Sequence, residues 1–118
     1  MPIHEPFNYV EFPAKDLEAT KQFFTQAFGW DFTDYGTEYT AFSDGVLDGG
    51  FYKADLASKQ SNGAALLVFY SDNIHNTLEK VVNAGGTICK PIFDFPGGCR
   101  FHFLEPSGNE LAVWANAR

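Results

Sequence analysis

The sequence is short of charged residues, and of basic residues in particular. Only 19% of its 118 residues are charged, and 8 Lys and Arg stand against 15 Asp and Glu, for a formal net charge of −7. Nucleic acids and anionic membrane surfaces attract basic proteins, so this charge balance argues against both. We therefore expect no nucleic-acid partner and no membrane partner.

Cysteine and long apolar runs are also scarce. Two cysteines, Cys89 and Cys99, are too few for a disulfide framework, and we expect two reduced thiols in preference to one disulfide across a hairpin. The longest apolar run, residues 64–70, is far shorter than the roughly twenty residues that a membrane-spanning helix needs. Residues 1–12 do not have the pattern of a signal peptide. These features predict one globular unit in the cytoplasm.

Aromatic residues, in contrast, are abundant. The chain has 13 Phe, 5 Tyr and 2 Trp, which together make up 17% of it, and 45% of all residues are hydrophobic. This composition excludes an intrinsically disordered chain. It supplies enough apolar surface for a core and for a lined pocket as well.

The order of the predicted elements occurs twice. In each half, a strand is followed by a helix and three more strands, and a shift of 57 residues places Phe12 on Phe69 and Gly29 on Gly86. The predicted strands are 7–13, 30–35, 38–43, 49–52, 64–70, 87–92, 99–104 and 110–114, and the predicted helices begin at Asp16 and at Asn73. We expect one domain over residues 1–118, with a first module over 3–52, a linker over 53–63 and a second module over 64–118.

Short motifs occur in a fixed order along both halves. They are YVEFP at 9–13, Asp16-Leu17, FGW at 28–30, AGG at 84–86 and EPSGN at 105–109. In this order and spacing the sequence resembles the vicinal oxygen chelate superfamily, which includes glyoxalase I, bleomycin-resistance proteins and extradiol dioxygenases. The resemblance implies an α+β fold in which two βαβββ modules form an open, cup-shaped mixed sheet with the helices on its outside.

The resemblance also implies where a metal would bind. Metalloenzymes of this superfamily carry His or Glu at one inward position on the first and last strand of each module. The matching positions here are Tyr9, Gly49, Leu66 and Ala112. Divalent metals in such cups need imidazole or carboxylate ligands from several strands, which Gly, Leu and Ala do not supply. We therefore expect no metal and no cofactor.

Strand alternation predicts which other side chains point into the cup. The predicted ligand-binding lining consists of Tyr9, Glu11, Tyr39, Leu66, Val68, Tyr70, Arg100, His102 and Trp114. Aromatic walls with a few polar groups are typical of small-molecule sites. The same aromatic side chains could equally fill the cup as ordinary core.

Two of these residues are candidates for catalysis. The imidazole of His102 could act as an acid or a base, with Glu11 as its counterpart. A structural, hydrogen-bonded histidine is the simpler interpretation. We also expect Glu11 and Arg100 to form an ion pair if they face each other, because an unpaired buried charge is costly.

Three functions follow from these features. The first is a metal-free small-molecule-binding protein of the bleomycin-resistance type that holds a neutral or cationic aromatic ligand. The second is a lyase, isomerase or dioxygenase of the same superfamily with non-standard site residues. The third is a structural or regulatory dimeric module that binds a partner protein. In each case we expect a homodimer, because open sheets leave edges and apolar rims that a second copy covers.

Overall fold

The computed structural model describes residues 2–118, and it contains two four-stranded sheets and two α-helices. The element order β-α-β-β-β occurs twice, with one short 3₁₀ turn, Gln60–Asn62, between the two halves. The elements are β1 (Tyr9–Ala14), α1 (Leu17–Phe28), β2 (Asp31–Asp34), β3 (Tyr39–Ser43), β4 (Asp48–Lys53), β5 (Val68–Tyr70), α2 (Ile74–Asn83), β6 (Thr87–Phe95), β7 (Gly98–Leu104) and β8 (Glu110–Ala115).

The two sheets have the same topology. Their strand orders are β1-β4-β3-β2 and β5-β8-β7-β6. The first strand of each module runs parallel to the last, β1 to β4 and β5 to β8, and the other neighbours are antiparallel. The predicted α+β fold is confirmed, with two open mixed sheets that do not close into a barrel.

A side-chain cap marks the start of each helix, and a glycine marks the end of the first. The Asp16 carboxylate accepts a hydrogen bond from the Ala19 N–H at the start of α1, and Gly29 ends that helix with a left-handed φ of 71°. The Asn73 side chain caps α2 in the same way by accepting from the Asn76 N–H. No helix within residues 2–118 is long and apolar enough to cross a membrane.

The two modules share one aromatic core on the helix side of the sheets. Phe23 of α1 packs against Phe103 of β7 with ring centroids 5.7 Å apart, and Phe28 stacks on Phe69 at 4.3 Å. The helices also contact each other. Because this packing holds the helices of both modules together, it fixes the position of one sheet relative to the other.

Strand β5 is shorter than the predicted strand over 64–70, because another segment is hydrogen-bonded to the start of its partner strand, β8. The Glu110 N–H donates to the Ser58 carbonyl, and the Gln60 N–H donates to the Glu110 carboxylate at 3.0 Å. The linker therefore lies along the start of β8, and β5 pairs with β8 only from Val68 onward, opposite Ala112.

Strand β6 is longer than the predicted strand over 87–92. It continues to Phe95 and forms a hairpin with β7 through Gly97, whose φ is 115°. The pairing shifts twice, between Ile88 and Lys90 and between Lys90 and Phe93. These irregularities interrupt the alternation on which the sequence-based boundary depended.

Candidate functional site

Three side chains form a hydrogen-bonded group on the face of the first sheet that is turned away from the helices. We name this surface the first cup face and define it by Tyr9, Glu11, Tyr39 and Gly50. The Tyr39 hydroxyl donates to Oε2 of Glu11 at 2.9 Å, so the Tyr9 hydroxyl, 2.5 Å away, is the donor to Tyr39. Burial, followed by the hydrogen bonds with Tyr9 and Glu11, raises the pKa of the Tyr39 phenol well above its usual value.

A glycine lies under this group and makes room for it. A Cβ on Gly50 would overlap the hydroxyl and ring of Tyr39, whereas a Cβ on Gly49 would meet the Phe42 ring and the Val10 carbonyl on the core side. In the strand pairing, Gly50 lies opposite Glu11, and Ala112 lies opposite Val68. Glu11 and Val68 are equivalent positions, because the shift of 57 residues places one on the other. The counterpart of Ala112 in the first module is therefore Gly50, and the predicted position Gly49 is wrong by one residue.

A buried acid–histidine pair lies on the corresponding face of the second sheet. We name this surface the second cup face and define it by Tyr70, Arg100, His102, Ala112 and Trp114. His102 is fully buried, and its Nδ1 lies 2.8 Å from Oε2 of Glu110. Burial raises the pKa of Glu110, but the bonds from His102 and from the Gln60 N–H outweigh burial and lower it overall. The ionised carboxylate thus holds the Nδ1 proton of His102, and Nε2 has no partner.

Arg100 lies two residues before His102 on the same face. Its guanidinium carbon is 5.5 Å from the Phe93 ring centroid and 5.9 Å from that of Phe95. Its Nε is buried without a hydrogen-bond partner, and Arg100 takes part in no ion pair within the described chain. Two rings therefore hold this cation, and no carboxylate does.

Aromatic side chains form the wall beside Arg100. Tyr70 and Trp114 pack edge to face with centroids 5.0 Å apart, and Phe95 lies 6.4 Å from Trp114. The Tyr70 hydroxyl accepts a hydrogen bond from Nδ2 of Asn116 at 3.0 Å. Tyr70 is 50% exposed, so this wall is open to solvent in a single chain.

The predicted lining residues lie in two separate groups within one chain. Among residues 2–118, no hydrogen bond, ion pair or aromatic contact joins the group of Tyr9, Glu11 and Tyr39 to the group of Tyr70, Arg100, His102 and Trp114. The ion pair expected between Glu11 and Arg100 is not formed. Glu11 binds Tyr39, and Arg100 lies on Phe93 and Phe95.

The other two predicted lining residues, Leu66 and Val68, border a cavity between the modules. Its volume is about 460 Å³, and its lining is apolar except for Asp44. The remaining lining residues are Val10, Phe12, Trp30, Phe42, Leu47, Leu67, Phe69 and Leu111. Several of these belong to the aromatic core, so the cavity lies on the helix side of the sheets.

The residues at the metal positions of the fold do not fit a divalent metal. Tyr9, Leu66 and Ala112, with Gly50 in place of Gly49, offer one phenol and no imidazole or carboxylate. Within residues 2–118, no three His, Cys, Asp or Glu side chains are grouped as metal ligands would be.

Sequence reasoning missed Glu110 as the partner of His102. Glu110 shares the strand face of Ala112 and Trp114, and strands β7 and β8 bring it next to His102 by pairing His102 with Ala112. Alternation along β8 was the signal that could have identified it. Phe93 and Phe95 were missed because the register shifts in β6 obscure which face they occupy.

Comparison with known proteins identifies the family. The sequence profile of the Glyoxalase/Bleomycin resistance protein/Dioxygenase superfamily matches residues 7–113. Proteins named "Putative glyoxylase CFP32" from Mycobacterium tuberculosis and Mycobacterium bovis are 25% identical over 115 residues, covering 91% of this chain. The chain spans only 44% of the length of these relatives.

Solved structures show the same fold at low sequence identity. A glyoxalase-related enzyme from Fulvimarina pelagi has a TM-score of 0.77 at 17% identity, covering 95% of this chain and 88% of its own. A mutant of the fosfomycin resistance protein FosX from Listeria monocytogenes, solved with Mn(II) and 1S,2S-dihydroxypropylphosphonic acid, has a TM-score of 0.77 at 16% identity, covering 95% and 90%. These likenesses show the fold, and the profile match over residues 7–113 shows that the chain belongs to the glyoxalase/bleomycin resistance protein/dioxygenase superfamily.

Proposed function

We propose that this protein is a small-molecule-binding protein of the bleomycin-resistance type that works without a metal and holds an aromatic ligand of neutral or positive overall charge. One observation carries the proposal. The positions at which the fold would hold a metal lack suitable ligands, while the surrounding cup faces carry exposed aromatic side chains, among them Tyr9 and Tyr70.

The chemistry of the two faces favours such a ligand. Tyr70 and Trp114 offer aromatic surface for stacking, and Glu11 presents a carboxylate beside Tyr39 on the other face. The net charge of −7 attracts cations and repels anions over long distances. A cationic group over a Tyr or Trp ring gains further attraction from the ring's quadrupole.

A second copy of the chain completes the cup in this proposal. Tyr9 is 44% exposed on the first cup face, and Tyr70 is 50% exposed on the second. Tyr52, paired with Tyr39, and Val68, paired with Ala112, extend the two faces and are 38% and 42% exposed, so both faces present uncovered apolar surface. Solvent-exposed patches of this kind commonly mark interfaces. The first face of one copy against the second face of its partner would enclose the ligand.

The dimer is tested by light scattering coupled to gel filtration. We expect twice the mass of the chain for the native protein and a monomer for Val68→Glu. The matched control is Val82→Glu on α2, where Val82 is 47% exposed but lies on no cup face. A native monomer, or equal disruption by both variants, would contradict the dimer.

Ligand binding is tested by thermal unfolding of chelator-treated protein in the presence of a broad library of aromatic and cationic compounds. A compound that raises the unfolding temperature should lose this effect in Tyr70→Ala. The compound should still raise the unfolding temperature of the control Tyr35→Ala, because Tyr35 lies outside the cup faces. It is 66% exposed in the connection between β2 and β3. A library without any stabilising compound would count against the proposal.

Acid–base catalysis, as in a lyase or isomerase, is the second candidate function. It rests on the buried His102–Glu110 pair and the unpartnered Nε2 of His102. The base would be oriented by Glu110 and not by Glu11, which lies on the first cup face. Solvent-deuterium exchange into small hydroxycarbonyl compounds, followed by nuclear magnetic resonance and lost in His102→Gln, would favour this candidate over simple binding.

A further inference from the structure

The polar groups of the second cup face that lack partners are clustered on one strand. Arg100 and His102 follow each other on the same side of β7, and each has one buried nitrogen without a hydrogen-bond partner. Buried polar atoms are nearly always satisfied in folded proteins. Two exceptions this close together indicate a place where a polar ligand group binds.

The guanidinium of Arg100 is held in position but not neutralised. Phe93 and Phe95 hold it, and no acidic side chain pairs with it among residues 2–118. The acidic side chains of the adjacent strands are already engaged: Glu110 binds His102, and Asp94 accepts from Arg118 at 3.0 Å. The charge of Arg100 is therefore left for an external anion.

The geometry points to a carboxylate on the aromatic ligand, and we infer that Arg100 binds it while the ligand's ring lies against Trp114 and Phe95. This inference rests on the proposed function and names one chemical group of its ligand. A planar guanidinium matches a carboxylate with two parallel hydrogen bonds. His102 lies next to this position. Its Nε2, which carries no proton when Nδ1 donates to Glu110, can accept a hydrogen bond from a donor group of the ligand. The ligand stays neutral overall when a cationic group elsewhere in it balances the carboxylate.

The experiment compares L-tryptophan, an indole whose carboxylate is balanced by an ammonium group, with L-tryptophanamide, which has the same shape and keeps the ammonium group but lacks the carboxylate. Binding to the full chain is measured by isothermal titration calorimetry. We expect the carboxylate to bind about tenfold or more tightly than the amide, and Arg100→Gln to remove this difference. Arg100→Lys keeps the charge without the planar fork and should give an intermediate loss.

Controls separate this inference from the proposed function. Lys53→Gln removes one positive charge from the first module, where Lys53 has no ion pair within the described residues, and should leave the preference for the carboxylate unchanged. Circular dichroism melts show whether each variant folds. Equal binding of both compounds, or a preference that persists in Arg100→Gln, would overturn the inference and leave the proposed function standing. If neither compound binds, the result contradicts the proposed function for indole ligands and the inference with it.

Discussion

A buried carboxylate couples the two modules. Its contribution to stability can be tested by removing one hydroxyl group that donates to it. Glu105 is 2% exposed, and its carboxylate accepts hydrogen bonds from the Thr20 hydroxyl at 2.8 Å, the Ser107 N–H at 2.7 Å and the Asn109 side chain at 2.6 Å. Asn109 also donates to the Pro13 carbonyl at 2.7 Å. Since Thr20 and Pro13 belong to the first module, this network ties it to the turn before β8.

The variant Thr20→Val keeps the shape of a fully buried side chain and removes its hydroxyl. A hydrogen bond to a charged group contributes about 1.5–3 kcal/mol to stability, against about 0.5–1.5 kcal/mol between neutral groups. A control is Thr25→Val on the same helix, because the hydroxyl of the exposed Thr25 donates to the neutral Trp30 carbonyl at 3.2 Å. We expect Thr20→Val to lower the free energy of unfolding by about 2 kcal/mol, and Thr25→Val by about half of that.

The pH dependence of this difference has a defined sign. Burial raises the pKa of Glu105 above the ordinary 4.5, although the bonds from Ser107, Thr20 and Asn109 oppose the shift. A raised carboxyl pKa means that stability is lost as the pH rises through that pKa. Removing the Thr20 hydroxyl raises the pKa further, so Thr20→Val should cost more at neutral pH than at a pH below 4.5.

Urea unfolding at neutral and acid pH, followed by tryptophan fluorescence, measures this effect. The cost of Thr20→Val should fall toward that of Thr25→Val in acid, while the cost of Thr25→Val should stay the same. An equal cost for Thr20→Val at both pH values would refute an ionised Glu105 as the acceptor. A cost no larger than that of Thr25→Val at neutral pH would refute its importance for stability.

Two further predictions concern the first cup face. Gly50→Ala should leave the protein folded but displace Tyr39 and break its bond to Glu11. Gly49→Ala should lower the melting temperature more, since its methyl group meets the core and a backbone carbonyl. Circular dichroism melts that rank the two variants the other way would contradict this assignment of faces. Glu11→Gln should lower the pKa of Tyr39, because the Glu11 carboxylate contributes to raising it. Phenolate absorbance that rises at the same pH in the variant and in the native protein would argue against the hydrogen-bonded group of Tyr9, Glu11 and Tyr39.

Local chemistry made much of the fold predictable. The caps at Asp16 and Asn73 and the glycine that ends α1 mark the helix limits in the sequence. Strand alternation also identified the partition between the core and the cup faces. Phe101 and Phe103 are buried on the helix side, as their alternation with His102 indicates.

The features that were missed depend on contacts between segments far apart in sequence. A shift of one residue turns every side chain of a strand to the other face, so the alignment of the two halves predicts Gly49 where the strand pairing has Gly50. Strand β5 begins late because Ser58 and Gln60 bind Glu110, and no local pattern shows this. The separation of the two cup faces follows from the packing of Phe23 on Phe103 across the modules.

The proposed function requires that the cup of this protein works without a bound metal. The most direct test is the metal content of protein purified without a metal-affinity step, measured by plasma mass spectrometry. We predict far less than one metal ion per chain, because Tyr9, Gly50, Leu66 and Ala112 offer no set of imidazole or carboxylate ligands. Close to one iron, nickel, manganese or zinc per chain would contradict a metal-free cup.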